Sequence, residues 1–261
     1  MSLTSEQRQE EILTRVLGVG HVVVKALAVD MGVSEATVRR DLRALADARK
    51  VELVYGGATM PRTADFTVLG RARRNVEAKR IVGRLAAGLV PDGEMMYVDS
   101  GTTCFEMRRH LMQKRGLSIL LNSTRLAMEL NAGSDASIVL LGGHYRPERM
   151  DTVGPLAVAA IDQLRGYVAF IGADGLDPDF GVTADDIQTA FLYQHVLRNA
   201  RETILLADHT KFLCPSLYRI CTWDAISRVV TDVRPDDEWV EFLNKNGIEL
   251  IHEMNTEAPG C

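Results

Sequence analysis

Short apolar runs that end in a polar or glycine-containing turn recur five times in the later part of this chain, which limits the folds it can adopt. The runs and their turns are MMYV before DSGTT, SILL before NSTRL, SIVLL before GGHYR, VAFIG before ADGLD, and TILLA before DHTKF. Helical patterns follow several of these turns. Strands that alternate with helices predict a largely parallel sheet with helices on both faces. We therefore expect an α/β fold from residue 81 onward.

Polar groups cluster at these turns, where the carboxyl ends of parallel strands form a ligand-binding crevice. Gly101, Thr102 and Thr103 offer backbone N–H groups, hydroxyls and a helix N-terminus, which suit a phosphate. The acceptors for sugar hydroxyls are Asp99, Asn122 and Asp174, the cations for a phosphate or carboxylate are Arg146 and Lys211, and the adjoining turns contain Gly142, Gly143 and Gly175. Each group alone could have an ordinary structural role, such as capping a helix. Their shared position favours a binding site for a phosphorylated, sugar-like effector.

The first 60 residues follow a different pattern, with three helical segments and a β-prone run. Apolar residues at helical spacing predict a first helix over SEQRQEEILTRVLGVG. The segment KALAVDMG predicts a second helix that ends at Gly32, and VSEATVRRDLRALAD predicts a third with Ser34 as its N-cap. The run KVELVYGGA then suits the wing of a winged helix-turn-helix.

The third helix has two distinct sides on a helical wheel. Its apolar side is formed by Val38, Leu42 and Leu45, and its basic side by Ala36, Arg39, Arg40 and Arg43. A helix that follows a tight turn and presents a small residue beside three arginines is suited to the major groove of DNA. A solvated basic surface is the competing interpretation. The surrounding helices, turn and wing favour DNA.

Charge is divided unevenly along the 261 residues, whose formal net charge is -5. Residues 1–84 contain 15 Lys/Arg against 10 Asp/Glu, and the remainder contains 15 against 25. A basic first part favours an anionic partner such as DNA. We predict a DNA-binding domain over residues 1–60, a basic connector over 61–80, an effector-sensing α/β domain over 81–255 and a C-terminal tail over 256–261.

Several other classes of protein have no support in the sequence. The four cysteines and the histidines do not have metal-ligand spacing, so we expect neither a zinc site nor a disulfide framework. The sequence contains neither a Walker A motif nor a GxGxxG after a strand, so a nucleotide cofactor has no support. Because no segment has the pattern of a signal peptide or a membrane span, we expect a cytoplasmic protein. We also expect no cofactor and no metal.

The most specific motifs resemble one family. GVSEATVRRDLRAL followed by YGGA resembles the N-terminal signature of the DeoR family of bacterial repressors, and VDSGTT, LNST, LGGHYR, FIGADGLD and ADHTKF resemble its sensor domain. The resemblance implies a sensor fold similar to ribose-5-phosphate isomerase, a phosphorylated sugar as effector and a homodimer or homotetramer. It also implies DNA contacts from Ser34, Glu35, Thr37, Arg39 and Arg40. The chain departs from the family pattern at Arg49, Leu53 and Tyr167.

The competing function is a sugar-phosphate isomerase with an appended DNA-binding module. Isomerisation requires a base beside a carbonyl and usually a cation for the enediolate. Asp185 and Asp186 offer a base, but GVTADDIQTAF has neither the lysine nor the glutamate that follow the corresponding motif in ribose-5-phosphate isomerase. We therefore expect a non-enzymatic repressor of sugar or sugar-acid catabolic genes, whose operator binding is linked to an effector.

Overall fold

The computed structural model describes residues 4–19, 21–48, 50–54, 56–59, 67–212 and 215–253. The chain divides into two units, Met1–Val76 and Glu77–Cys261. Each unit has a hydrophobic core of its own. Sequence predictions that lie outside the described residues concern Arg49, Tyr55 of the wing, residues 61–66 of the connector and the tail over 256–261.

Helices and a small sheet form the first unit in the order that the sequence predicts. Its elements are α1 (Ser5–Val19), β1 (His21–Val23), α2 (Val24–Met31), α3 (Glu35–Asp47), β2 (Glu52–Val54) and β3 (Gly57–Thr59). The strands are antiparallel in the order β1-β3-β2. All three helices contribute to the core, among others through Ile12, Leu27, Val38 and Leu42. The winged helix-turn-helix prediction is confirmed.

The tight turn between α2 and α3 depends on two capping residues. Gly32 ends α2 with a φ of 62°, a left-handed conformation that is strained for residues with a side chain. Ser34 begins α3, and its Oγ accepts the backbone N–H of Thr37 at 3.2 Å. The sequence signals for the end of one helix and the start of the next therefore lie where the structure uses them.

Helices α4 (Val68–Ala72) and α5 (Val76–Gly88) occupy most of the described part of the predicted connector. The segment is therefore largely helical, and its Lys79 is buried rather than solvated. The second unit begins at Glu77, and the predicted start of the sensing domain at residue 81 stays a prediction. The separate connector and C-terminal tail stay predictions.

Strands and helices alternate through the rest of the second unit. In chain order they are β4 (Met95–Val98), α6 (Thr102–Phe105), α7 (Arg108–Leu111), β5 (Ser118–Leu121), α8 (Thr124–Asn131), β6 (Ser137–Leu140), β7 (His144–Arg146), β8 (Asp151–Val153), α9 (Pro155–Ile161), β9 (Val168–Gly172), β10 (Gly175–Asp177), β11 (Gly181–Ala184), α10 (Ile187–Asn199), β12 (Glu202–Leu206), β13 (Tyr218–Cys221), β14 (Arg228–Val230), α11 (Asp237–Lys245) and β15 (Glu249–Ile251). Two short 3-10 turns cover His209–Phe212 and Trp223–Ala225.

Seven strands form one parallel sheet in the order β15-β14-β12-β9-β4-β5-β6. All five strands that the apolar runs predict belong to it. The strands β7 and β8 form a separate hairpin, and β10, β11 and β13 form a small antiparallel sheet. The predicted α/β class with a mainly parallel sheet is therefore confirmed.

Side chains of the parallel sheet alternate between two cores. Tyr97 and Leu205 pack on the face that α9, α10 and α11 cover, whereas Met96 and Phe170 pack on the face that α5, α7 and α8 cover. The strands β5, β9 and β12 are buried on both faces and have no solvated side that would require polar residues, whereas the edge strand β6 is largely exposed. This is why the central strands are uninterrupted apolar runs in the sequence.

The chain reverses its direction across the sheet between β4 and β9. From β4 it proceeds through β5 to the edge strand β6, and it then adds β9, β12, β14 and β15 on the other side of β4. In open α/β sheets, a crevice for ligands forms outside the carboxyl ends of the strands at such a point. The residues that follow β4 and β9 are therefore the first candidates for a ligand site.

Candidate functional sites

The basic side of α3 is exposed, while its apolar side is packed. Arg39, Arg40 and Arg43 are all exposed to solvent. Among the described residues, Arg39 is the only one of the three with an ion pair, because its Nη2 lies 2.7 Å from Oε2 of Glu35, one helical turn earlier. The wheel prediction therefore places the arginines correctly on one surface. Their contact with DNA stays a prediction.

Two other predicted DNA-contact residues lie at the N-terminus of α3. The hydroxyls of Ser34 and Thr37 lie 2.9 Å apart, and Ser34 also caps the helix. Both hydroxyls therefore already stabilise the helix start. Because Ser34 is exposed and Thr37 is half-buried, this end of the helix remains accessible from solvent.

Asp41 is a buried charged residue of α3 that the sequence reasoning missed. Its carboxylate is buried and accepts hydrogen bonds from Arg8 Nε at 2.5 Å and Arg8 Nη2 at 3.0 Å. Burial alone would raise the pKa of Asp41, but the hydrogen bonds and charge of Arg8 outweigh it and lower the pKa. The pair connects α1 to α3 and holds the basic side in place. The one signal in the sequence was an acidic residue on the apolar side of the helix.

The wing explains the GGA motif of the sequence. A Cβ atom on Gly57 would lie 2.0 Å from the carbonyl oxygen of Val22, so this position has no room for a side chain. Leu53 of β2 is exposed, where the family pattern has an arginine. A positive charge for DNA at the wing would therefore have to come from residues other than Leu53.

Asp99 joins the two strands at the point of reversal. Its Oδ1 accepts the N–H of Gly101 at 2.7 Å, and its Oδ2 accepts the N–H of Gly172 at the end of β9. Asp99 is 1% exposed, and burial raises its pKa even though these N–H groups oppose the effect. A Cβ atom on Gly101 would lie 2.8 Å from Oδ1, which explains the glycine. Asp99 therefore shapes the crevice, which argues against the predicted contact with a sugar hydroxyl.

The residues after Asp99 supply donors at the same place. Thr102 and Thr103 are the first two residues of α6, so their N–H groups have no carbonyl one turn earlier to bind. Asp174 follows β9 and accepts the N–H of Asp185 at 3.0 Å. Lys211 lies half-buried in the 3-10 turn after β12, next to β9. The order of the sheet therefore brings these four predicted residues to three neighbouring strand ends.

Asn122 and Arg146 are engaged within the protein, which argues against the predicted direct contacts with an effector. The Asn122 amide is fully buried, where it accepts the hydroxyl of Tyr97 at 2.9 Å and donates to the carbonyl of Thr152 at 3.0 Å. Arg146 donates to both carboxylate oxygens of Asp151, at 2.8 and 2.7 Å. Burial would lower the pKa of Arg146, but the carboxylates that face it raise the pKa, so the guanidinium stays charged.

Arg146 is the centre of a buried polar network. Its remaining contacts are Asp186 Oδ1 at 2.5 Å and Thr189 Oγ1 at 3.0 Å, and Ser100 donates to Asp151 at 2.9 Å. The network connects the loop after β4 with the β7–β8 hairpin and the N-terminus of α10. Its members are far apart in sequence, so no local pattern could have predicted it.

The predicted glycines lie in different surroundings. Gly142 and Gly143 follow β6 at the edge of the sheet, whereas Gly175 begins β10 and its carbonyl accepts the Thr183 hydroxyl at 2.6 Å. The edge position separates Gly142 and Gly143 from the reversal point by the width of β5. Gly175 contributes to the small antiparallel sheet.

Two family models match the chain. The DeoR-like helix-turn-helix domain matches residues 8–64, and the DeoR C-terminal sensor domain matches residues 74–233. The chain belongs to the DeoR family. As a DeoR-family protein, it is a DNA-binding transcriptional regulator with a winged helix-turn-helix and a sensor domain, in the order of the two units.

Regulators are also among the similar proteins. The HTH-type transcriptional regulator IolR of Bacillus subtilis is 28% identical to the DeoR-family chain, with 96% of this chain and 99% of the relative covered. The glycerol-3-phosphate regulon repressor of Escherichia coli K12 is 27% identical, with 94% and 97% covered. The chain thus spans almost the whole length of both relatives.

Solved structures similar to the DeoR-family chain include two other kinds of protein. Ribose 5-phosphate isomerase A of Methanocaldococcus jannaschii has a TM-score of 0.40 and 20% identity, with 53% of this chain and 55% of that chain covered. The translation initiation factor eIF-2B of Pyrococcus horikoshii OT3 has a TM-score of 0.46 and 15% identity, with 87% of each chain covered.

The part of the DeoR-family chain that the structure describes has neither a membrane-spanning helix nor a cluster of metal-ligating side chains. There, no helix is both long enough and apolar enough to cross a membrane. The same residues contain no group of three or more His, Cys, Asp or Glu side chains that could hold a metal ion.

Proposed function

We propose that this DeoR-family protein represses genes for the catabolism of a sugar or sugar acid, and that a phosphorylated, sugar-like effector modulates its operator binding. The main support is the presence, in one chain, of an arginine-bearing recognition helix and a polar crevice at the reversal point of a parallel sheet. Relatives named as repressors of a glycerol-3-phosphate regulon and of an aga operon agree with it. We also propose a cytoplasmic homodimer or homotetramer without a cofactor.

The DNA contacts are assigned to the exposed side of α3. Arg40 and Arg43 have no ion pair within the described residues and are the candidates for bidentate contacts with guanine in the major groove. Arg39 and Glu35 form an ion pair, so Arg39 would contact DNA while it still binds Glu35 or after it leaves Glu35. Ser34 and Thr37 are placed to meet phosphates beside the helix start. A dimer would place two such helices in successive major grooves, about 34 Å apart.

The effector contacts are assigned to the three strand ends at the reversal point. Gly101, Thr102 and Thr103 supply N–H groups and hydroxyls for the phosphoryl group. Lys211 supplies positive charge from the end of β12, two strands from β4, and Asp174 supplies an acceptor for a hydroxyl. Asp99, Asn122 and Arg146 receive supporting roles because their polar atoms are engaged within the protein.

We propose no catalytic activity for the crevice. An isomerase needs a carboxylate that is ready to remove a proton from carbon. Asp185 is paired with Arg149 at 3.1 Å, and Asp186 caps α10 while it binds Arg146. Burial opposes the effect, but the bonds from Thr189 and Arg146 lower the pKa of Asp186 to about 2, which makes it a weak base. These contacts favour a sensor over an isomerase.

The proposal is tested by thermal unfolding of the full chain against a panel of sugar phosphates, sugar-acid phosphates and the matching free sugars. An effector at 100 times its Kd stabilises the folded protein by about 2.7 kcal/mol, which raises Tm by several degrees. Each hit is then assayed for turnover and for its effect on binding to an operator selected from random duplexes. A phosphate-dependent shift without turnover is expected. Turnover would overturn the sensor proposal in favour of the isomerase.

A further inference from the structure

A histidine beside the crevice is held in place by a buried carboxylate. His209 follows β12, and Asp232 follows the neighbouring strand β14. Asp232 is 3% exposed, its Oδ2 lies 2.7 Å from Nδ1 of His209, and its Oδ1 accepts the His209 backbone N–H at 2.8 Å. One carboxylate therefore fixes both the backbone and the ring of His209.

This contact determines which ring nitrogen can meet a ligand. An ionised carboxylate only accepts hydrogen bonds, so the Nδ1 that faces Asp232 bears a proton. In the neutral ring, Nε2 then has a lone pair for a donor such as a hydroxyl. The His209 side chain is 43% exposed, and within the described residues no hydrogen bond involves its Nε2. Asp232 thus orients the ring through Nδ1, and Nε2 remains available to a ligand.

The position of His209 relative to Gly101–Thr103 follows from the order of the sheet. Strand β9 lies between β4 and β12, and Leu206 of β12 pairs with Gly172, the residue whose N–H Asp99 binds. Two strand spacings separate the ends of β4 and β12 by about 10 Å. The 3-10 turn that begins at His209 also contacts β10, which follows the end of β9. His209 therefore lies on the far side of the crevice from Gly101–Thr103.

We propose that His209, through Nε2, binds a hydroxyl at the end of the effector that is remote from its phosphoryl group. This inference rests on the proposed function, which places the phosphoryl group at Gly101–Thr103. A phosphorylated carbon chain that is long enough to span two strands contacts both Gly101–Thr103 and His209. A shorter one contacts only Gly101–Thr103. His209 is thus a specificity-determining residue for pentose and hexose phosphates, and Asp232 is its positioning residue.

A second His–Asp pair provides a matched control. Nδ1 of His195 lies 2.9 Å from Oδ1 of Asp162, but His195 is on α10 and Asp162 directly follows α9. These helices cover a face of the sheet, so the pair is not at the carboxyl ends of the strands. His195→Asn removes the same ring atoms without a change at the crevice.

The test measures the affinity of the full chain for triose, pentose and hexose phosphates by calorimetry. In His209→Asn, the amide nitrogen still donates to Asp232, but the Nε2 atom is lost. We expect the affinity for pentose and hexose phosphates to fall about fivefold to tenfold, the effect of one hydrogen bond, with no change for triose phosphates. His209→Gln places an amide near the lost atom and recovers most of the affinity. His195→Asn leaves all affinities unchanged.

Three results contradict the proposal in distinguishable ways. An equal loss for all chain lengths would place His209 at the phosphoryl group or give it a purely structural role. Unchanged affinities in His209→Asn would remove it from the site while the sugar-phosphate sensor stands. A wild-type chain that binds none of the probes would overturn the effector class of the proposed function, and the role of His209 with it.

Discussion

At the residue scale, the three arginines of α3 are not equivalent. Arg40 is exposed without an ion pair in the described part of the chain, whereas Arg39 already binds Glu35. We expect Arg40→Ala to weaken operator binding by roughly 1–3 kcal/mol without loss of folding, because its side chain supports no buried contact. Fluorescence anisotropy with a selected operator and a random duplex measures the effect. Arg15→Ala, on α1, is the control, and an unchanged operator affinity in Arg40→Ala would refute the assigned contact.

Lys211 gives the corresponding prediction for the crevice. Its ammonium group is the cation that we assign to the phosphoryl group, and hydrogen bonds to charged groups contribute about 1.5–3 kcal/mol. Lys211→Ala should therefore lower the effector affinity by roughly tenfold to a hundredfold while operator affinity stays unchanged. Lys245→Ala, exposed on α11, is the control. A Lys211→Ala protein that still releases or binds DNA in response to the effector as wild type does would exclude Lys211 from the site.

At the element scale, the attachment of α3 to α1 depends on the buried pair Arg8–Asp41. Breaking a buried pair costs about 3–5 kcal/mol, so we expect Arg8→Met to destabilise the protein by about 3 kcal/mol at pH 7. The folded-state pKa of Asp41 is lowered, so the pair stabilises the fold above the ordinary carboxyl pKa and loses this effect as the pH falls through the folded-state pKa. The deficit of Arg8→Met should therefore stay nearly constant down to the ordinary carboxyl pKa of 3.8 and shrink as the pH falls below it.

Urea unfolding of the full chain at several pH values measures this deficit. The control is Arg15→Met on the same helix, whose partners Glu11 and Asp30 are exposed, and which should cost less than about 1 kcal/mol. A deficit for Arg8→Met that stays constant even as the pH falls well below 3.8 would show that lost packing, and not the ion pair, connects the two helices.

Local patterns predicted the elements of this fold better than they predicted its polar contacts. The strands β4, β5, β9 and β12 were visible because burial on both faces requires apolar runs, and β6 was visible because it is equally apolar, although it is a largely exposed edge strand. The cap at Ser34 and the two sides of α3 were visible because their partners lie within one helical turn. Arg146 and Asp186 lie 40 residues apart, and their contact depends on how the hairpin and α10 pack. Residue type alone therefore suggested a ligand contact where the protein supplies its own partners.

The same reasoning applies to His209. Its sequence neighbours are Asp208 and Thr210, but the carboxylate that orients the ring is Asp232, which follows β14 and lies 23 residues later. Only the order of the sheet places β14 next to β12. The sequence already singles out His209 as the one histidine to expect near the pocket, but a partner that follows a neighbouring parallel strand gives no periodic signal, so the structure was needed to find Asp232.

At the scale of the whole molecule, the proposed regulation is a coupling between operator and effector, and such coupling is reciprocal. If the effector changes operator affinity by a given factor, the operator must change effector affinity by the same factor. We expect a factor of roughly 5–150, which corresponds to about 1–3 kcal/mol of coupling. Calorimetric titration of the effector with and without saturating operator measures one side, and anisotropy with and without saturating effector measures the other. An effector that binds equally well to free and operator-bound protein has no coupling to transmit. In that case the sensor domain would not control DNA binding, however tightly its crevice holds a sugar phosphate.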